Sequence, residues 1–187
     1  MEPVFRGIEI AAKAAVAATG TRITYQGLEH IPDAGGAVIA INHTGYVDFL
    51  PAGLAATHRK RRVRFMLKAE VQQVPMGNFL VKRAGLIPVD RSSGGDAYPV
   101  AVERLRAGEL VGVYPEATIS RSFELKEFKT GVARMALDAQ VPIIPVIVWG
   151  VHRMWTKDHP KRLGRKKIPV IVRVGAPIAA NGPVAQV

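Results

Sequence analysis

Short apolar runs alternate along the chain with segments of helical periodicity. The apolar runs have the length and the β-branched content of buried strands, and turn residues such as Pro32-Asp33-Ala34-Gly35-Gly36 separate them from their neighbours. The pattern predicts seven strands, at residues 23–26, 37–42, 63–67, 86–89, 110–114, 141–149 and 168–174.

The segments between the strands predict the helices. We expect helices at residues 46–57, 96–107 and 131–140, and two short helical pieces within 68–85, split at Pro75-Met76-Gly77. Strands that alternate with helices are typical of an α/β fold, in which helices flank a mostly parallel central sheet. Pro142 and Pro145 fall near the start of a predicted strand, and we expect them at a strand start or an edge.

Residues 1–19 predict an N-terminal amphipathic helix in front of an α/β core at 20–187, and the length fits a single domain. Charged residues interrupt this segment too often for a transmembrane span or a signal peptide. Its apolar face either packs against the domain or lies in a membrane interface, and its alanine content favours packing. The face comprises Val4, Phe5, Ile8, Ala12, Ala15 and Val16.

The net charge of +11 is concentrated in two segments. Residues 58–64 hold five Lys/Arg and no acid, residues 152–167 hold seven and one acid, and the rest of the chain is balanced. Such local excess is typical of surfaces that meet a polyanion, although it also occurs in solvated loops. No cysteine is present, which excludes disulfides, thiolate metal sites and a cysteine nucleophile.

Polar residues follow four of the predicted strands. Because ligands of α/β folds collect at the carboxyl ends of the strands, these residues are expected to surround one crevice. They are Asn42-His43, Lys68, Asp90-Arg91 and Pro115-Glu116.

His43 and Asp48 lie between a predicted strand and a helix expected to begin near Gly45 or Tyr46. Asp48 would then lie in the first helical turn and face His43, where its carboxylate would fix the imidazole tautomer and leave the other nitrogen able to take a proton. Alternatively, Asp48 only favours a helix N-terminus and His43 bonds a backbone carbonyl. These residues alone leave both interpretations open. No GxSxG motif accompanies them, so a base here would act on a substrate hydroxyl.

Five blocks in order resemble those of glycerolipid acyltransferases of the 1-acyl-glycerol-3-phosphate (lysophosphatidate) acyltransferase type. A lone HxxxxD is a weak signal, whereas five ordered blocks that span most of the chain are a strong one. The blocks are NHTGYVD at 42–48, KAE and PMG within 68–77, GLIPVDR at 85–91, YPEATIS followed by FKTG within 114–131, and VPIIPV at 141–146.

The resemblance implies a reaction without an acyl-enzyme. His43 would take the proton from the acceptor hydroxyl as it attacks the thioester of acyl-CoA or acyl-carrier protein, and Asp48 would stabilise the imidazolium. Lys68 is the expected donor to the developing oxyanion. Acyl-CoA would be a co-substrate, and neither a cofactor nor a metal is expected.

The resemblance also implies substrate-binding residues. Arg91, at the end of its block, would bind the acceptor phosphate through its planar guanidinium, and Glu116 would orient an arginine or bond the glycerol. Further block residues expected to bind substrate are Asn42, Tyr114, Thr118, Arg121 and Lys129.

The third block departs from the usual FPEGTRS. Ala117 replaces its glycine and Ile119 its arginine, so one phosphate-binding cation is missing from its usual place. Arg121 is the nearest replacement along the chain. The departure leaves His43 and Asp48 in place and keeps three alternatives open: lysophosphatidate, another lysolipid acceptor, and a catalytically silent lipid-binding relative.

The expected partners follow from the resemblance and the charge. They are acyl-CoA or acyl-carrier protein, a lysophospholipid acceptor and an anionic membrane surface contacted by the two basic segments. We expect a peripheral or monotopic protein on the cytoplasmic face of the membrane. A nucleic-acid-binding module is disfavoured, because aromatic residues are few and no recognised motif occurs.

Overall fold

The computed structural model describes residues 3–90, 97–162, 164–182 and 184. Seven strands form one sheet: β1 (Arg22–Gln26), β2 (Ala37–Ile41), β3 (Val63–Lys68), β4 (Ile87–Val89), β5 (Leu110–Val113), β6 (Ile143–Trp149) and β7 (Pro169–Val174). The α-helices are α1 (Pro3–Thr19), α2 (Phe49–Thr57), α3 (Pro75–Ala84), α4 (Ala97–Arg106) and α5 (Gly131–Ala139). Within these described helices, none is long and apolar enough to cross a bilayer.

The sheet has the strand order β1-β7-β6-β2-β5-β3-β4. Every neighbouring pair is parallel except β6 and β7, which confirms the mostly parallel α/β fold. We call the edge at which β2 ends the carboxyl edge. Because β7 runs opposite to β6, β7 begins at the carboxyl edge, and so does β1, which is parallel to β7. The basic segment 152–167, between β6 and β7, therefore lies along this edge.

Helices cover both faces of the sheet. One face carries a core of β-branched and alanine side chains that packs beneath α2, and the other packs beneath α4 and α5. Helix α1 contacts α2 and α3, and the ring of its Phe5 lies 4.9 Å and 4.6 Å from the guanidinium carbons of Arg62 and Arg64. Packing against the domain, the favoured interpretation of its apolar face, is therefore confirmed, with Ala15 left exposed.

Three local expectations require correction. Helix α2 begins at Phe49 rather than near Tyr46, because residues 44–48 form a separate turn. The two helical pieces are split at Val74, and Pro75 starts α3, a position where its missing N–H costs nothing. Pro145 lies inside β6, an interior strand; the ladder with β7 begins only at Val146, and Pro145 contributes its carbonyl, which accepts from Gly175 N.

The two basic segments have different roles. Residues 58–64 lie at the opposite edge, where their arginines bind the protein itself: Arg59 pairs with Asp33, and Arg61 donates to the carbonyls of Pro32, Gly35 and Gly108. Arg64 is buried and donates to Ala84 O and Glu109. The expectation that this segment meets an anionic surface stays a prediction, although three of its arginines bind other parts of the protein.

Candidate active site

Asp48 closes the turn that follows β2. Its Oδ2 accepts three hydrogen bonds, from His43 Nδ1 at 3.1 Å and from the backbone N–H groups of Thr44 and Gly45 at 2.9 and 2.8 Å. The residue is 0% exposed, and its side chain makes no capping bond to α2. The predicted contact with His43 is therefore present, and Asp48 also occupies the N-cap position of α2 without a side-chain bond to the helix.

Burial raises the pKa of the Asp48 carboxyl above its usual value, and the bonds from His43, Gly45 and Thr44 lower it in part. The carboxylate thus holds the Nδ1–H tautomer of His43 in a dry site. Oδ1 has no hydrogen-bond partner among the described residues.

His43 is held by its backbone and by its ring. Its N–H donates to Glu116 Oε1 at 2.8 Å, and its carbonyl accepts from Ser120 N at 2.7 Å. The ring stacks on Tyr114 with centroids 4.0 Å apart and an interplanar angle of 21°. The side chain is 19% exposed, and Nε2 has no protein partner within the described part of the chain. This nitrogen can therefore meet a substrate.

Glu116 supports the His43 backbone. It is 3% exposed, and besides His43 its carboxylate accepts from the backbone N–H of Lys126 at 3.2 Å. The expected contact with an arginine is not present among the described residues. Glu116 therefore joins the loop that follows β5 to the loop that follows β2.

Asn42 and Tyr114, expected at the substrate, have structural contacts. The amide of Asn42 donates to Val148 O at 3.1 Å and its side-chain oxygen accepts from Val148 N at 2.7 Å, which extends the pairing of β2 with β6. Tyr114 supports the imidazole, and burial followed by the charge of Asp48 raises its pKa well above the usual value. Both residues therefore position His43.

The HxxxxD turn rests on the segment that follows β6. Thr156 Oγ1 donates to Thr44 O at 2.6 Å, and Tyr46 N donates to Trp155 O at 3.0 Å. A Cβ at Gly45 would lie 3.0 Å from Trp155 O, so a larger residue would push this segment away. This contact leaves no signal in the sequence pattern, because the partners lie more than a hundred residues apart.

Lys68 lies away from the dyad. It ends β3, two strands from β2, which amounts to about 10 Å across the sheet. Lys68 is two residues after Met66 in the strand and so points to the same face of the sheet, the one covered by α4 and α5. His43 stacks on Tyr114, which packs on the opposite face. The side chain of Lys68 is exposed, and its role as the donor to the oxyanion stays a prediction.

Three further predicted residues, Thr118, Arg121 and Lys129, have exposed side chains. Arg121 pairs with Asp158 through an Nε–Oδ2 distance of 2.7 Å, and Lys129 donates its backbone N–H to Pro115 O. Thr118 accepts from Lys126 Nζ at 2.7 Å. Arg91 lies outside the described residues.

Lys126 is the residue that sequence reasoning missed. Its backbone binds Glu116, and its ammonium group binds Thr118, two residues after Glu116. A cation therefore stands in the third block although Ile119 replaces the usual arginine. Its place in the exposed run Glu124-Leu125-Lys126-Glu127 carries no periodic signal that could have separated it from its neighbours.

Among the described residues, no three His, Cys, Asp or Glu side chains lie close enough together to hold a metal ion. The chemical feature of this edge is the pair of His43 and Asp48, in which Nε2 of His43 is accessible to a substrate.

Comparison with known proteins places these features in a family. The family model described as Acyltransferase matches residues 22–149. The 1-acyl-sn-glycerol-3-phosphate acyltransferase of Bacillus subtilis (strain 168) is 32% identical over 124 residues, covering 65% of this chain and 60% of that protein. The mouse 1-acyl-sn-glycerol-3-phosphate acyltransferase alpha is 29% identical over 167 residues, covering 87% and 57%. The chain thus spans 57–60% of the length of these two curated relatives.

A solved structure has the same architecture. The crystal structure of the 1-acyl-sn-glycerophosphate (LPA) acyltransferase PlsC from Thermotoga maritima superposes with a TM-score of 0.80 at 25% identity, covering 96% of this chain and 70% of that one. The similarity extends beyond the residues of the family match to almost the whole chain.

Proposed function

The chain belongs to the acyltransferase family, and from this premise we propose that it transfers a fatty acyl group from acyl-CoA or acyl-carrier protein to the hydroxyl of lysophosphatidate or a related lysolipid. The observation that carries the proposal is the hydrogen bond between His43 Nδ1 and the fully buried Asp48. His43 Nε2 is the general base, and Asp48 stabilises the imidazolium that forms.

The acceptor hydroxyl attacks the thioester carbonyl directly. As the oxygen–carbon bond forms, the hydroxyl proton passes to Nε2. Collapse of the tetrahedral intermediate breaks the carbon–sulfur bond and expels the thiolate, which takes this proton from Nε2 to become the thiol and restores the base. Among the described residues, no hydroxyl group hydrogen-bonds the His43 ring. Ser120 binds the His43 carbonyl through its backbone N–H, but its hydroxyl oxygen lies 3.4 Å from Ser122 Oγ. This arrangement favours a substrate nucleophile over an acyl-enzyme.

The acceptor phosphate has a candidate partner in Lys126. The ammonium group is tied to Thr118, and the same residue is bonded to the carboxylate that holds His43. Arg91, with its place in the GLIPVDR block, remains a proposed second cation. In the acceptors we consider, phosphate and hydroxyl are joined by a short glycerol unit, so their cation must lie close to His43.

The exposed cations of residues 152–167 favour a peripheral position on an anionic membrane. They lie at the carboxyl edge, and Lys161 lies over the Trp155 ring at 4.4 Å from its centroid. A bilayer on this side would deliver the lipid acceptor directly to the edge that carries His43. Attraction of this kind weakens as salt screens it.

An acceptor screen tests the proposal. The purified protein is given one labelled acyl-CoA and a set of lysolipids, and products are identified by mass. We expect one acylated phospholipid class, and a fall of roughly 10²–10⁴-fold in its formation for His43→Ala. His58→Ala, which removes an imidazole from the opposite edge, is the matched control. Wild-type rates in folded His43→Ala would reject the general base, and no product with any acceptor would reject acyl transfer.

A further inference from the structure

A strongly basic pocket also lies at the carboxyl edge. It has a volume of about 470 Å³ and is lined by Gly20, Arg22, Arg165 and Lys167. Gly20 lies between α1 and β1, Arg22 is the first residue of β1, and the other two residues come from the loop that precedes β7. Two of these elements meet through the backbone, where Lys167 N donates to Thr19 O at 3.1 Å.

The pocket is built around a glycine. A Cβ on Gly20 would lie 3.1 Å from Lys167 Cγ and 3.5 Å from Arg165 Cγ, so the absence of a side chain lets both aliphatic stems lie across this backbone. Gly20 has φ of +65°, and Lys167 itself has φ of +52°, a conformation that costs a residue with a side chain free energy. The side chains of Arg165 and Lys167 thus lie side by side at the cost of a left-handed backbone at Lys167.

The described part of the chain does not neutralise the three cations of the pocket. Within the described residues, no acidic side chain pairs with Arg22, Arg165 or Lys167. This contrasts with Arg59 and Arg121, which pair with Asp33 and Asp158. A concave site with three unpaired cations, two of them guanidinium groups, is suited to phosphate oxygens.

The distance between the pocket and His43 indicates which substrate phosphate the pocket can bind. Three strand spacings separate β1 from β2, about 14 Å across the sheet. The acceptor phosphate is joined to its hydroxyl by a short glycerol unit and cannot span this distance while the hydroxyl contacts His43. In acyl-CoA, by contrast, the long pantetheine arm separates the thioester from the diphosphate and the 3′-phosphate.

We propose that the pocket of Arg22, Arg165 and Lys167 binds the phosphate groups of the acyl-CoA donor. The inference rests on the proposed acyl transfer and adds the donor's binding site. Arg165 and Lys167 lie outside the part of the chain that the family model matches, residues 22–149.

The test compares Arg165→Gln/Lys167→Gln with the charge-matched control Lys82→Gln/Arg83→Gln, whose residues lie exposed near the end of α3. CoA binding is measured by calorimetry. We expect an affinity loss on the order of ten-fold in the pocket variant and none in the control. Transfer from acyl-CoA should lose the same factor in kcat/KM, whereas transfer from acyl-pantetheine, which lacks the phosphates, should be unchanged.

Two results overturn the assignment: an unchanged CoA affinity in the pocket variant, and an equal loss with both donors. If the variant retains its CoA affinity but loses binding to phosphatidylglycerol vesicles, the pocket belongs to a lipid headgroup instead. Absence of transfer in the wild type would reject acyl transfer itself, while the calorimetry would still decide whether this pocket binds CoA.

Discussion

Glu116 holds His43 by its backbone: Oε1 accepts from the His43 N–H at 2.8 Å, while Oε2 accepts from Lys126 N. Glutamine has one acceptor oxygen, so Glu116→Gln would turn an amide N–H₂ towards a backbone donor. We expect a loss of about 1–3 kcal/mol in the free energy of unfolding and a kcat lower by roughly ten-fold or more as His43 shifts.

Urea denaturation and steady-state kinetics check this, with exposed Glu127→Gln in the same loop as the control. A raised acceptor KM with unchanged stability would return Glu116 to the substrate-binding role expected from the sequence.

Ser120 offers a test of direct transfer. It is buried and its N–H donates to His43 O, and among the described residues its hydroxyl has only the 3.4 Å contact with Ser122. Because the backbone bond survives substitution, Ser120→Ala should keep its activity within about two-fold. Rapid-quench mass spectrometry of the wild type should show no acylated protein. An acyl adduct on Ser120, together with an inactive alanine variant, would show a two-step mechanism.

The strands and the His43–Asp48 contact could be predicted because each depends on residues close in sequence. Apolar runs define the strands, and a spacing of five lets the carboxylate turn back to the imidazole. The start of α2 could not be predicted, since Asp48 Oδ2 takes the N–H groups of Thr44 and Gly45. Long-range contacts such as Asn42 with Val148 leave no periodic signal in the sequence.

The charge pattern of the sequence predicted the contacts of the basic residues least well. The arginines of residues 58–64 and the cations of residues 152–167 look alike in sequence, yet Arg61 and Arg64 bind carbonyls of the core. Whether a basic run faces solvent depends on which carbonyls and carboxylates the fold brings to it. Lys126 could not be separated from the other charged residues of its loop for the same reason.

Ala117 has a left-handed backbone, with φ of +58°, at the position where the related third block usually has glycine. A Cβ is disfavoured in this conformation, so Ala117→Gly should stabilise the protein by up to about 1 kcal/mol, after the greater freedom of glycine in the unfolded chain is subtracted. Denaturant midpoints measure the change. Ala14→Gly, in the exposed part of α1, should destabilise by a similar amount, and the same sign in both variants would refute the strain at Ala117.

Lys126 should govern the affinity for a phosphorylated acceptor. With its ammonium group removed in Lys126→Ala, we expect the acceptor KM to rise on the order of ten-fold at a nearly constant kcat, since a phosphate anchor acts in ground and transition states alike. Lys126→Arg should retain most of the affinity. Arg121→Ala, which removes an exposed cation already paired with Asp158, is the comparison. A larger effect at Arg121, or an equal KM increase with an acceptor that lacks phosphate, would contradict the assignment.

The pKa of Asp48 links stability to pH. Burial raises this pKa above the value of about 3.9 for an unfolded aspartate, so the folded state binds the proton more tightly. The stability that this contributes is fully present below pH 4 and is lost as the pH rises through the folded pKa. Asp48→Asn cannot ionise. The substitution also changes stability by an amount that does not depend on pH. On top of this change, the free energy of unfolding of the variant minus that of the wild type should increase as the pH rises from about 4 towards neutral. Parallel urea titrations at several pH values measure this difference, which would decrease instead if the pKa were lowered. The same variant should be inactive at every pH, because the amide no longer stabilises an imidazolium at His43.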